Sequence, residues 1–237
     1  MSDTKSVSPD LRRQFVTFTS FKLDRAFRRI EPVEQKAMVE EFAKAVDDKP
    51  AETICLSYSC VGLKRDTDLL LWRIAYDTDA LQQHTAAMNK CELSAYLDVP
   101  HHFLSMTKRS QYIDPVDPFH DAESRTRIIP GKRKYLFVYP FVKTRPWYLL
   151  PSEKRQEIMM GHIKKGNEYP SVKLNTTYSF GLDDQDFVVA FETDEPKDFL
   201  DLVQDLRETE SSLYTQRDTP MFTAVQMPTG DVLRQCF

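Results

Sequence analysis

The sequence predicts an α+β protein built from two fused ferredoxin-like β-α-β-β-α-β units. Three observations carry the prediction. Strand-like and helix-like apolar periodicities run through once and then begin again in the same order. A short residue echo links the two passes, and a long polar connection separates them.

The first pass opens at Gln14–Leu23, where Phe15, Thr17 and Thr19 alternate with Val16, Phe18 and Ser20 as in a strand. Pro32–Val46 places Val33, Ala37, Met38, Phe42 and Val46 at helical spacing, with proline in the first turn. Ile54–Ser59 and Leu69–Tyr76 read as strands, Thr78–Met88 as a helix, and Glu92–Met106 as extended chain. The second pass gives a strand at Tyr135–Val142, a helix at Ser152–Lys165 and strands at Val172–Phe180 and Phe187–Thr193. A helix at Pro196–Arg207 and a last strand at Phe222–Met227 complete it.

The echo aligns Gly62-Leu63, Asp68, Trp72, Ile74 and Thr78-Asp79 with Gly181-Leu182, Asp186, Val188, Phe191 and Thr193-Asp194. The predicted architecture is therefore of the dimeric α/β-barrel type within one chain. Residues 1–12 are expected to be disordered, 13–110 to form the first unit and 135–237 the second. Residues 111–134, with Pro115, Pro118 and Pro130 and no apolar period, form the linker.

Composition excludes several functions. A net charge of −4 supplies no general phosphate-neutralising excess, so nucleic acid is not an expected partner. Basic residues do gather at Arg125–Lys134 and Lys143–Arg145, either as solvated loops or as a pocket for carboxylate or phosphate groups. Cys55, Cys60, Cys91 and Cys236 form no CxxC pair, which argues against a zinc site and for reduced thiols. The N-terminal residues lack an apolar signal region and no apolar run reaches membrane-spanning length, so a cytoplasmic, soluble protein is expected.

One histidine stands out. His162 lies four residues after Ile158 and three after Met159, on the apolar stripe of its helix. Such a histidine is either a core residue with both nitrogens satisfied or a neutral imidazole aimed into a dry pocket as a metal ligand.

The surrounding motifs add to that choice. Tyr135-Leu-Phe-Val-Tyr139-Pro140-Phe-Val-Lys143, Trp147-Tyr-Leu-Leu-Pro151, Met160-Gly-His162 and Gly181-Leu-Asp-Asp184 resemble, in order and approximate spacing, the chlorite dismutase and coproheme decarboxylase family of haem proteins. The resemblance covers the C-terminal half in sequence and the N-terminal half only in fold. It implies an iron porphyrin, haem b or coproheme, with His162 as the axial iron ligand. It implies Glu210 as acceptor of the imidazole N–H, which would make the ligand more basic.

Tyr139, in the Tyr-Pro-x-x-Lys pattern, matches the tyrosine that coproheme decarboxylases oxidise to remove carbon dioxide from a propionate. Lys143 and Arg127, with Arg125 as the alternative, would neutralise propionates. Asn175, or a neighbour along the same strand, falls where chlorite dismutases carry an arginine above the iron, and Phe141 stands where decarboxylases have methionine.

An amide supplies no cation above the iron, so efficient chlorite dismutation is disfavoured. The implied function is a haem-dependent oxidoreductase, a peroxide-driven coproheme decarboxylase of haem biosynthesis. Its alternatives are a chlorite dismutase-like enzyme or general haem peroxidase, and a non-catalytic haem carrier or sensor. A homopentamer and contact with a ferrochelatase are expected by resemblance alone.

Overall fold

The computed structural model describes residues 12–110, 112, 127–131 and 133–237. Residues 1–11 and most of the expected linker, including Arg125, lie outside them. Each half begins with a long strand, β1 (Phe15–Leu23) and β6 (Tyr135–Lys143). The first half continues through α1 (Pro32–Asp47), β2 (Ile54–Ser59), β3 (Leu69–Ala75) and α2 (Thr78–Asn89) to β4 (Leu97–Asp98) and β5 (His102–Met106).

The second half has a short α3 (Arg145–Leu149) where the first has a 3-10 turn, Arg25–Arg29, and leads on to α4 (Ser152–Gly166). It then follows the same order through β7 (Lys173–Tyr178), β8 (Phe187–Thr193), α5 (Pro196–Arg207), β9 (Thr215–Arg217) and β10 (Phe222–Gln226), ending in α6 (Thr229–Arg234). Where extended chain was expected at Glu92–Met106, residues Glu92–Tyr96 form a 3-10 turn, mirrored by Glu210–Tyr214. No helix among the described residues is long and apolar enough to cross a membrane.

The strands close on themselves. Their order is β10-β2-β3-β1-β5-β7-β8-β6, and β6 pairs in turn with β10 through Phe222↔Val138 to Val225↔Tyr135. Closure leaves no free edge in the main sheet, which removes the aggregation liability of an exposed strand. Side chains alternate across each strand, so one set fills the barrel and the other faces the helices. Val16, Phe18, Leu70, Trp72, Ile74, Leu136, Val138, Val188, Ala190, Phe222 and Ala224 make the interior core. A packed interior leaves no room for a large ligand, so function must lie outside, between strands and helices.

The repeat holds atom by atom at the turns. Phe27 and Trp147 each donate a backbone N–H to the residue three before, Asp24 and Thr144, at 3.1 Å. Asp24 and Thr144 donate in turn to the carbonyls of Tyr96 and Tyr214, both at 2.8 Å. The Asp68 carboxylate accepts from the Leu23 N–H at 3.0 Å, and Asp186 accepts from the Lys143 N–H at 2.8 Å.

Gly62 and Gly181 adopt φ of 75° and 72°, a left-handed turn that glycine enters without the Cβ penalty. The echo drifts after Asp68 and Asp186, because Thr78-Asp79 opens α2 whereas Thr193 ends β8.

Open space surrounds both glycine positions, so only backbone strain opposes a side chain there. Gly181→Ala is expected to lower stability by about 1–2 kcal/mol in denaturant unfolding, with Gly62→Ala matching it. Unchanged midpoints in both variants would contradict the shared turn.

Candidate functional site

Superposing the two halves shows which residues break the repeat. The pairs Phe27/Trp147, Ile30/Leu150 and Gln35/Arg155 make equivalent backbone bonds at equal sequence spacing. Extending that spacing places Leu23 opposite Lys143 and Phe42 opposite His162. The 3-10 turns place Leu93 opposite Ser211. In the first half Leu23, Phe42 and Leu93 are fully packed core residues under α1. In the second half the same three places hold an amine, an imidazole and a hydroxyl. Replacing three apolar core groups with polar ones is costly, which points to function rather than folding.

These groups are brought together. Lys143 is buried at the end of β6, and its ammonium donates to the Ser211 carbonyl at 2.9 Å and to Oγ at 2.8 Å. The ammonium also lies 4.6 Å from the centre of the Trp147 ring. Burial pushes the Lys143 pKa down to about 8. His162 sits on α4, its Nδ1 buried without a hydrogen-bond partner. Burial, then the Lys143 charge, pushes its pKa down to about 4. The imidazole is therefore neutral at pH 7, the form that ligates a metal.

Tyr139 lies farther along the same outward face of β6. It is buried with Phe137, Phe191 and Leu202, and its ring stacks on Phe191 at 5.9 Å between centroids. Burial, then the negative charge of Asp218, pushes its pKa well above the usual phenol range, against the opposing charge of Arg207. Arg207 and Asp218 pair at 3.1 Å, tying the end of α5 to the segment after β9. The face running from Tyr139 to Lys143 is thus aromatic at one end and polar at the other.

The structure places the four other expected site residues as follows. Lys143 is bonded to Ser211 beside His162. Glu210 forms an ion pair with Lys154 at 3.3 Å and does not hold His162. Arg127 is exposed, next to Ile128, whose side chain plugs the barrel core, and no contact brings it to Tyr139.

Asn175 faces the wrong way. It is paired with Ala190, points into the barrel and donates to the buried Glu192 carboxylate at 2.9 Å. Its neighbours Leu174 and Thr176 pair with Phe191 and Val189, so they share the outward face with Tyr139. A one-residue miscount along a strand exchanges its faces.

The residues present fit an iron porphyrin. A neutral, unpartnered imidazole nitrogen is the form that ligates iron. Next to the Phe137, Tyr139 and Phe191 cluster, which α5 covers, the partly exposed Phe141, Val172, Leu174 and Val189 offer apolar surface to a flat macrocycle. Ser211 and Trp147, to which sequence reasoning gave no role, complete the surroundings of Lys143. Aligning Phe27-Arg-Arg-Ile with Trp147-Tyr-Leu-Leu would have singled out Trp147.

Comparison with known proteins agrees with this geometry. The family model for chlorite dismutase matches residues 35–227. The coproheme decarboxylase of Mycolicibacterium smegmatis is 30% identical over 198 residues, covering 81% of this chain and 80% of that protein. That of Staphylococcus saprophyticus is 30% identical over 165 residues, covering 65% and 66%. A chlorite dismutase variant from Candidatus Nitrospira defluvii superposes with a TM-score of 0.83 at 26% identity, covering 94% of both chains.

Two outcomes test the site. The depressed folded-state pKa of His162 means that the unfolded chain binds the extra proton first on acidification. Stability of the ligand-free protein should therefore fall between about pH 6.5 and pH 4, by roughly 2 kcal/mol. His162→Phe should flatten that limb of a pH-dependent unfolding series, and an unchanged slope would contradict the assignment. Separately, Asn175→Arg should unfold the barrel or cost more than about 3 kcal/mol, whereas Thr176→Arg, at an exposed outward position, should fold normally. The reverse pattern would contradict the strand register. Order, geometry and similarity converge on one conclusion: the chain belongs to the chlorite dismutase family.

Proposed function

We infer that this haem-dependent oxidoreductase catalyses the peroxide-driven oxidative decarboxylation of iron coproporphyrin III to haem b. The observation that carries the reading is Tyr139, a buried phenol on the same outward strand face as Lys143, whose charge acts on His162. Relatives of comparable length that are coproheme decarboxylases support it. So does β7, which offers Leu174 and Thr176 to this face and no guanidinium. A fixed cation in that position is what would stabilise an oxychlorine anion.

The bound iron porphyrin, with peroxide, supplies the oxidising equivalents. His162 would hold the iron, through a nitrogen kept unprotonated by burial and by Lys143. Lys143 is itself fixed by two hydrogen bonds to Ser211, so its charge stays beside the imidazole. Tyr139 enters the reaction protonated and dry, as a group that gives and regains a hydrogen atom must. Two of the four propionates react, and each of these becomes a vinyl group as its carboxylate leaves as carbon dioxide. Per propionate, one peroxide and one proton are consumed, and two waters form.

The test adds iron coproporphyrin III to the purified protein, titrates hydrogen peroxide and weighs the porphyrin by mass spectrometry. Stepwise loss of two carboxyl groups is expected. Tyr139→Phe should bind the porphyrin with an unchanged spectrum but slow the loss by at least about a hundredfold. Binding without mass loss in the unaltered protein, or undiminished loss in Tyr139→Phe, would overturn the reading.

A further inference from the structure

The first half carries its own unexplained polar cluster, at the places matching the Tyr139 face of the second. Tyr139 and Phe137 correspond to Thr19 and Thr17 on β1, Phe191 to Arg73 on β3, Leu202 to His84 on α2 and Met221 to His102 on β5. The second half fills these places with apolar and aromatic groups. The first half fills them with a guanidinium, two hydroxyls and two imidazoles.

Arg73 is 2% exposed, and no carboxylate pairs with it among the described residues. Nη1 donates to Thr85 Oγ1 at 2.8 Å and to the Leu81 carbonyl at 3.4 Å, and Nη2 to Thr19 Oγ1 at 3.2 Å. Its Nε is buried without a partner. Thr17, directly paired with Arg73 across β1 and β3, is 3% exposed and its Oγ1 is likewise unpartnered. His84 donates from Nε2 to the carbonyls of Val46 and Ala45 at 3.1 and 3.2 Å, leaving a buried, unpartnered Nδ1. The cluster reaches solvent at His102, whose Nδ1 lies 2.9 Å from Thr19 Oγ1.

A buried cation without an anion is among the least favourable features a fold can keep, and a guanidinium cannot escape by losing its proton. Burial pushes the Arg73 pKa down, and a guanidinium nonetheless keeps its proton in a folded protein. Hydroxyls satisfy its hydrogen-bonding groups without cancelling its charge. Asp183 acts on His102 at the solvent end, but its carboxylate is taken up by the Leu104 N–H and the Gln185 amide. Arg73 itself meets no negative charge among the described residues.

We propose that the Arg73 cluster is a second ligand site, in the N-terminal half, that binds one small monovalent anion of halide size. The charge follows from one uncompensated cation. The size follows from the donors left over, the Arg73 Nε–H and the Thr17 hydroxyl, which together suit one acceptor atom. The site is separate from the His162 face, so it does not depend on the decarboxylase reading.

The test uses bromide as the probe, on the full chain. Crystals soaked in sodium bromide are examined for anomalous scattering. Thermal unfolding is followed from 0 to about 200 mM bromide, with Thr17→Val as the isosteric variant and a potassium glutamate series as the ionic-strength control. The proposal expects an anomalous peak within hydrogen-bond distance of Arg73 Nε and Thr17 Oγ1. It expects bromide to raise the melting temperature of the unaltered protein and to have little effect on Thr17→Val.

A water without anomalous signal at the site would overturn it. So would a peak with no bromide-dependent stabilisation, which marks an adventitious ion only. A third contrary result is a Thr17→Val protein stabilised equally at every bromide concentration, as removal of a merely wasted hydroxyl would produce. Arg73→Met provides a second variant in which the bromide response should vanish, and its persistence there would also overturn the proposal.

Discussion

Closure of the barrel is the constraint on which the rest of the structure depends. Because β6 pairs with β10 as well as β8, every strand of the main sheet has two neighbours and two inequivalent faces. One face fills the interior with Trp72, Phe18, Phe222 and their neighbours. The other face is covered by helices in two separate places, one per half. Ligand chemistry is thereby confined to the helix-covered faces. Within each half, a side chain's role is settled first by whether its position along the strand is odd or even.

Duplication then supplies a control within the molecule. Under α1, Leu23, Phe42 and Leu93 show what these positions look like when they serve only packing. Under α4 the same positions become Lys143, His162 and Ser211, at the cost of burying an amine that must be held by two hydrogen bonds. The difference in burial of the two helices agrees. α1 buries Gln35, Met38, Val39, Phe42 and Val46, whereas α4 buries only Ile158. A helix so weakly packed has surface reserved for something other than its own core.

Much of the fold was legible because its periodic segments are long. Ile54–Ser59, Phe187–Thr193 and Pro196–Arg207 have the bounds that alternation and helical spacing suggested. The 3-10 turns at Glu92–Tyr96 and Glu210–Tyr214 were not legible, since five residues carry too little periodicity to distinguish a turn from extended chain. For His162 and Tyr139 the sequence periodicity gave the right elements, a helix for one and a strand for the other. The count across the turn between α4 and β7 left Asn175 and its neighbours open, and there a single residue decides the face. Asn175 points inward, and Leu174 and Thr176 point outward. The Lys143–Ser211 contact spans 68 positions in sequence, and only the internal superposition could have revealed it.

The central claim is that the functional face lies under α4 and not under its twin α1. A crystal structure of the protein with iron coproporphyrin III tests it most directly. The account predicts electron density for the porphyrin against the Tyr139–Lys143 face of β6, with iron bonded to a His162 nitrogen. Porphyrin seated against α1, or iron carried by any residue other than His162, would contradict it.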